Sequence, residues 1–165
     1  MGSIQGLATL VTGGGSGIGE AAAAKLAADG AHVTICGRTE DKLIGAVDRI
    51  AAVAADGVTV QHVVADVTSE DDVQAAVAAA AAVTGRLDGL FACAGGSTGM
   101  GPLATANVDD IRSTMELNYI GTFLCLKHGG AQMAKQGGGG SIVGCSSHAG
   151  QDPMRYLGGY GGAKA

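Results

Sequence analysis

Residues 7–30 of the chain read LATLVTGGGSGIGEAAAAKLAADG. The apolar run Leu7–Val11 has the length and composition of a buried strand. A glycine-rich turn follows, with Gly13, Gly14, Gly15, Gly17 and Gly19. A helix comes next, carrying Ile18, Ala22 and Leu26 on one face and stopping near Asp29 and Gly30. Strand, glycine turn and helix in this order make a cradle for a phosphate. The glycines let the backbone turn tightly and approach an anion closely, while the unpaired N–H groups and positive dipole end of the helix face it. A glycine-rich turn that binds nothing is the alternative; the preceding strand and following helix are the context that favours the cradle.

Beyond Gly30, strands and helices alternate. Ala31–Cys36 is a second strand. Thr39 is placed to cap the next helix, with Glu40 and Asp41 in its first turn, and Leu43, Val47, Ile50 and Ala54 then recur at helical spacing. Val58–Val64 is a third strand with Asp66 just beyond it, Ser69 caps a helix bearing Val73 and Val77, and Leu87–Cys93 is a fourth strand. A glycine-rich loop covers 95–102, and a long helix runs from about Val108 to Lys135, irregular at Gly121. The glycines at 137–140 turn the chain into a fifth strand, Ser141–Cys145. This alternation predicts a parallel sheet with right-handed crossovers. The expected architecture is α/β, a Rossmann-like doubly wound parallel sheet of order 3-2-1-4-5 with helices on both faces. No linker or shift of composition divides residues 1–165, which read as a single dinucleotide-binding domain.

A chain of 165 residues can bury a real core. With no Trp and two Phe, that core must be built from Ala, Val, Leu and Ile. The net charge of -5, with ten scattered basic residues, argues against a nucleic-acid partner. Cys36, Cys93, Cys125 and Cys145 lie far apart in apolar stretches without a C-x-x-C pair. They read as reduced core residues rather than a zinc site or a disulfide frame. His32, His62 and His128 are scattered and suggest no metal site. No basic segment precedes an apolar leader, and no apolar run is long enough to span a membrane, so a soluble, cytoplasmic protein is expected.

The end of the second strand bears on the choice of nucleotide. An acidic residue there, about 20 residues past the glycine turn, binds the ribose 2′-OH of NAD, whereas a basic residue meets the 2′-phosphate of NADP. The sequence reads Cys36-Gly37-Arg38-Thr39, with Arg38 in that place. NADP(H) is therefore expected ahead of NAD(H). An arginine alone does not exclude NAD, and a solvated Arg38 at a loop edge is the other reading.

From Thr12 to Gly19 the string T-G-G-G-S-G-I-G resembles the turn of the short-chain dehydrogenase/reductase family. A second match lies in SIVGCSSHAGQDPMRYLGGYGGAK, residues 141–164. Tyr160 and Lys164 are four apart, hence on one face of a helix, and Ser147 stands thirteen residues before Tyr160, directly after a strand. Asn118-Tyr119-Ile120-Gly121-Thr122 is similar to the family's N-Y-x-G-T stretch. Asn118, Ser147, Tyr160 and Lys164 thus match the family's catalytic tetrad. An exposed Tyr–Lys helix pair and a backbone-bonded buried asparagine are the plainer readings of these residues.

The resemblance implies that Thr12, Gly13, Gly15, Ser16, Gly17, Ile18 and Gly19 hold the nucleotide together with Arg38, Asp66, Val67, Ala94, Gly95, Tyr160 and Lys164. Asp66 would bond the adenine amino group with Val67 against the ring; capping the loop before Ser69 is its other role, and both can hold. Phe91-Ala92-Cys93-Ala94-Gly95 aligns with the family's N-N-A-G, but only Ala94 and Gly95 match, and Cys93 cannot make an amide's paired hydrogen bonds. Asn118 would hold a water in a proton relay. Ser147, His148, Met154 and Tyr156 would meet substrate, with Gln151, Ser97 and Met100 as further pocket candidates.

The residue types suit the chemistry. A free tyrosine titrates near pH ~10 and is a poor base at neutrality, and moving such a phenol to about 7 takes roughly 4 kcal/mol, at ~1.36 per unit. A neighbouring ammonium and the positive nicotinamide both favour the phenolate. Tyr160 is then general acid in reduction and base in oxidation. Ser147 would stabilise charge on the substrate oxygen, and Lys164 would also bind ribose hydroxyls. The expected function is hydride transfer between NADP(H) and a secondary alcohol or ketone, the partners being a small-molecule substrate and further copies of the chain in a homo-oligomer. A non-catalytic nucleotide-binding module is the alternative. The family sheet continues past the Y-x-x-x-K motif, whereas this sequence stops at Ala165. The expected fold is therefore C-terminally incomplete, with an exposed fifth-strand edge and no room for a helix at Tyr160. A fragment of a longer reductase, or a truncated and inactive product, would read this way.

Overall fold

The structure, a computed structural model, describes residues 4–152 and 154–165. Five parallel strands form one sheet: β1 (Ala8–Thr12), β2 (His32–Gly37), β3 (Val60–Val64), β4 (Gly89–Ala92) and β5 (Ser141–Gly144). Their order is β3-β2-β1-β4-β5, the doubly wound order expected. The register sets Thr12 opposite Cys36 on one side and opposite Ala92 on the other. The ends of β1, β2 and β4 therefore open along one line, where an α/β sheet binds its ligands.

The helices α1 (Gly17–Ala28), α2 (Glu40–Ala51) and α3 (Glu70–Ala82) follow β1, β2 and β3. Beyond β4 come α4 (Val108–Met115), one π-helical turn at Glu116–Ile120, and α5 (Gly121–Gln136). A last helix, α6 (Gly158–Lys164), closes the described chain. Alternate residues of the central strands feed two cores. On one face Val11, Val33 and Ile35 pack with Ala23, Ala27, Leu43, Ala46 and Ile50 of α1 and α2. On the other, Leu10, Cys36 and Leu90 pack with Val73 and Val77 of α3 and with Leu124, Cys125 and Met133 of α5. This two-sided burial is why the strands read as near-continuous apolar runs. Among the described residues no helix is long and apolar enough to cross a membrane.

Three local expectations are corrected. The buried face of α1 is Gly19, Ala23 and Ala27, whereas Ile18 is exposed and Ala22 and Leu26 are only partly covered. Small residues win this face because α1 lies so close to the glycine turn that a Cβ at Gly19 would strike the Gly13 carbonyl. The second concerns only the form of the irregularity: the long helix does run to Gln136 and is irregular at Gly121 as expected, and what interrupts it is a full π turn, Glu116–Ile120. Finally, a helix does form around Tyr160. In α6 the N–H of Gly161 donates to the Leu157 carbonyl at 2.7 Å, and the helix wedges between Ile111 of α4 and the turn at Ala149.

That wedge explains the sequence GGYGGAK. A Cβ on Gly161 would lie 2.6 Å from the Ala149 carbonyl oxygen, and one on Gly159 would overlap the Ile111 side chain, but one on Gly162 meets nothing within 4 Å. Glycine within a helix is entropically unfavourable, so opposite effects are expected. Gly162→Ala should raise stability by about 0.4–1 kcal/mol, while Gly161→Ala should lower it by about 1–3 kcal/mol through overpacking. Thermal unfolding of the two variants checks the sign of each.

Candidate active site

The glycine turn departs from β1 in a conformation that few side chains tolerate. Gly13 and Gly17 have φ of 69° and 58°, in the left-handed region that glycine enters freely. The N–H groups of Gly13 and Gly14 donate to the Cys36 carbonyl at 2.9 and 3.2 Å, pinning the turn to the end of β2. Ser16, Gly17 and Ile18 stand exposed at the start of α1, and the Ser16 side chain makes no capping bond there. The first N–H groups of a twelve-residue helix are thus left without a side-chain cap, facing outward as an anion site requires.

A cleft runs from this turn across the ends of β2 and β3. Gly13, Gly15, Ser16, Arg38, Asp66, Val67, Ala94 and Gly95 line it. Lys42 and Leu117 line it too, and sequence reading missed both. Lys42 lies in the first turn of α2, two residues after Glu40. Arg38 and Asp66 face each other across the rim, guanidinium to carboxylate 3.9 Å, with Arg38 largely exposed. The other Asp66 oxygen accepts from the backbone and hydroxyl of Thr68 at 3.0 and 2.9 Å. The loop-capping role is therefore real, and one carboxylate oxygen still looks toward the cleft.

Thr12 lies behind the cleft rather than in it. It is buried, and its Oγ1 accepts from the N–H groups of Cys93 and Ala94 at 3.1 and 3.0 Å. This hydroxyl ties β1 to the end of β4, where Cys93 has no amide side chain to give. Thr12→Val keeps the shape and removes the acceptor for both N–H groups. It is expected to cost about 1–3 kcal/mol, read as a lower urea midpoint, with Thr12→Ser restoring most of it.

Past β4 the chain squeezes between two buried polar side chains. A Cβ placed on Gly95 would lie 2.7 Å from Oδ1 of Asn118 and 3.1 Å from Nζ of Lys164. Asn118 sits within the π turn, 2% exposed. Its Nδ2 donates to the carbonyls of Gly96 (2.6 Å) and Thr114 (2.9 Å), and its Oδ1 accepts from the Gly96 N–H at 3.1 Å. Both amide protons are committed, so the side chain clamps the loop after β4 to the helix. The extra residue of a π turn is a frequent device at functional sites.

Lys164 is buried as well, 8% exposed. Its Nζ donates to the Cys145 carbonyl at 2.7 Å, and its own carbonyl accepts from Ser146 Oγ at 2.7 Å. The end of β5 therefore holds Lys164 at both ends. Asn118, Cys145 and Lys164 share one groove with Tyr119 and Thr122. Ser147 follows directly, half-buried, its Oγ accepting from the Ala149 N–H at 3.2 Å at the head of a short turn.

Tyr160 opens on a neighbouring cleft, together with Met154, Tyr156 and Ser97. Thr98, Leu103 and Ile111 complete much of its wall, and sequence reading did not name them. Tyr156 has φ 66°, a costly conformation for a bulky residue. Its carbonyl accepts from the Gly101 N–H at 3.1 Å, which pins the loop before α6 to the loop after β4. Met100 and Gln151 are exposed. His148 is exposed as well, its Nε2 3.4 Å from the Asp152 carboxylate. Among the described residues no group of three or more His, Cys, Asp or Glu is placed to hold a metal.

A strand–glycine turn–helix cradle, a nucleotide-sized cleft across the switch between β1 and β4, and a Tyr–Lys helix beside a Ser-bearing strand end define a dinucleotide-binding α/β protein. A family model described as short chain dehydrogenase matches residues 8–165. The chain belongs to the short-chain dehydrogenase/reductase family, whose members bind nicotinamide nucleotides. It is 38% identical over 164 residues to the 2,5-dichloro-2,5-cyclohexadiene-1,4-diol dehydrogenase of Sphingobium indicum, covering 99% of this chain and 63% of that protein. A short-chain type dehydrogenase/reductase from Mycobacterium ulcerans superposes with a TM-score of 0.95 at 46% identity, over 98% of this chain and 58% of that one. NAD+-bound xylitol dehydrogenase superposes with a TM-score of 0.92 at 31% identity, over 99% of this chain and 61% of that one. The chain thus spans about three fifths of the length of these relatives.

Proposed function

We propose that this chain carries the nucleotide site and the proton-transfer residues of an oxidoreductase acting on a secondary alcohol or ketone, with NADP(H) preferred to NAD(H). The observation that carries the reading is the meeting of Asn118, Gly95 and Lys164 at the end of the cleft that begins at the glycine turn. The residues fit such a nucleotide. The open start of α1 and the Gly13–Ile18 turn suit the pyrophosphate, Asp66 and Val67 the adenine, and Ala94 and Gly95 the close passage toward Lys164. When bound, the nicotinamide supplies or accepts the hydride.

The chain's own residues then handle the proton. Tyr160 donates its phenolic proton to the carbonyl oxygen as that oxygen gains charge, and takes it back in oxidation. Ser147 donates a hydrogen bond to the same oxygen. Lys164, seated on the Cys145 carbonyl, stands one helical turn from Tyr160 and is placed to hold the nicotinamide ribose. Asn118 serves by fixing the loop after β4, since its side-chain protons already serve the Gly96 and Thr114 carbonyls.

The preference for NADP(H) rests on Arg38 and Lys42 at the adenosine end of the cleft. A hydrogen bond to a charged group is worth about 1.5–3 kcal/mol. Arg38→Asp is therefore expected to weaken NADPH binding about ten- to a hundredfold while leaving NADH binding within a few-fold. Fluorescence titration of the chain with each nucleotide tests this. Equal affinity of the unaltered chain for both would overturn the preference, and binding of neither would overturn the reading as a whole.

A further inference from the structure

Two cysteines meet beneath Lys164. β4 and β5 pair in register, Phe91 opposite Val143 and Ala92 opposite Gly144. That last pair is closed by the Cys145 N–H, which donates to the Ala92 carbonyl at 3.0 Å. Cys93 and Cys145 are the next residues of the two chains, and their side chains lie within hydrogen-bonding reach of each other. Neighbouring strands lie about 4.7–4.9 Å apart, and opposed side chains point to the same face. That spacing falls inside the roughly 4.4–6.8 Å between Cα atoms that a disulfide bridges. The two thiols also influence each other: burial pushes Cys93 up to about 11, and the Cys145 thiol adds to the shift.

The pair is reachable where the other two cysteines are not. Cys145 lines the groove beside Lys164, and Cys93 is half-buried. Cys36 and Cys125 are shut in the core, with thiols pushed by burial up to about 12 and about 11. Enclosed among apolar side chains, neither is within reach of a peroxide arriving from solvent.

We propose that Cys93 and Cys145 are an oxidisable dithiol that closes to an intramolecular disulfide when the chain meets a peroxide. The Cys145 thiolate attacks one peroxide oxygen, the O–O bond breaks, and a sulfenic acid forms on Cys145 with release of hydroxide. The Cys93 thiol then attacks that sulfur and the S–S bond forms as the sulfenic oxygen leaves as water. In sum, two thiols lose two electrons and two protons, and one hydrogen peroxide becomes two waters. The bond joins the strand end that carries Ala94 and Gly95 to the one whose carbonyl holds Lys164. Closing it disturbs the nucleotide site, a consequence that rests on the function proposed above.

The test treats the purified chain with hydrogen peroxide, alkylates it under denaturing conditions and maps its peptides by mass. The expected result is one linked pair of peptides bearing Cys93 and Cys145, a loss of 2 Da from the intact chain, alkylated Cys36 and Cys125, and full reversal by dithiothreitol. Cys93→Ser is expected to stop at oxidised Cys145 with no linked peptide. A link through Cys36 or Cys125, a bond between two chains, or recovery of Cys93 and Cys145 unlinked overturns the proposal. NADPH titration before and after peroxide tests the consequence, with a tenfold or greater loss of affinity expected in the linked chain. A linked chain of unchanged affinity overturns the coupling to Lys164. A reduced chain that binds no NADPH overturns the functional reading, while the peptide map still decides the thiol pair.

Discussion

Replacing Tyr160 by phenylalanine is expected to lower hydride transfer to a ketone about 10²–10⁴-fold while leaving NADPH affinity within a few-fold. The ring is kept and only the hydroxyl is lost, so the walls of its cleft, with Met154 and Tyr156 nearby, keep their shape. What disappears is the proton that must reach the carbonyl oxygen as it becomes an alkoxide, and a positioned acid–base group contributes about 10²–10⁴ in rate. Single-turnover oxidation of bound NADPH by a ketone measures that step apart from substrate binding. Loss confined to nucleotide affinity would mean that Tyr160 holds the ribose and does not move the proton. Unchanged turnover would favour the non-catalytic reading of this domain.

The second large effect is expected from Gly95→Ala. The added methyl would stand 2.7 Å from Oδ1 of Asn118 and 3.1 Å from Nζ of Lys164. Neither neighbour can give way cheaply. Asn118 is fixed by three hydrogen bonds to Gly96 and Thr114, and Lys164 by its bond to the Cys145 carbonyl. Overpacking of this kind costs about 1–3 kcal/mol. Here the displaced groups are the ones that would order the nucleotide and the proton donor. The expected result is a stability loss of that size together with at least a tenfold weaker NADPH affinity and a further loss of turnover. Paired urea unfolding and nucleotide titration check it, and a stable variant that binds normally would show that the crowding relaxes elsewhere.

Much of this site was legible in sequence because it is local. The turn from Thr12 to Gly19 announces its strand, its close approach and its helix within eight residues, and the spacing of Tyr160 and Lys164 states their shared face. Sheet order followed from the alternation of elements, since crossover handedness leaves few topologies. What escaped depends on contacts made at long range. The buried face of α1 could not be read from Ile18 and Leu26, because glycine and alanine win wherever a helix must lie against a turn. Thr12 looked like part of the nucleotide turn, yet its hydroxyl serves amides of residues 93 and 94, more than eighty positions away. Lys42 carries no local motif, and only the loop at Ala65–Val67, brought from the far side of β2, makes it part of a cleft wall. The few residues left after Tyr160 argued against a helix there, yet α6 forms; its tight seat against Ile111 and Ala149 offsets the glycine at four of its seven positions.

The π turn at Glu116–Ile120 has one more consequence. It places Thr114 and Asn118 against the loop after β4, while Leu124, Cys125 and Met133 beyond it face the sheet core. One residue of helix turns the surface by about 100°, so the two stretches run out of phase, and the wide turn is the joint that reconciles them. The chemistry and the core are thereby uncoupled along a single rod. The half that bears Asn118 can keep its angular setting while the core half answers to packing alone, and the residue count between the two becomes as much a part of the cleft as the side chains themselves.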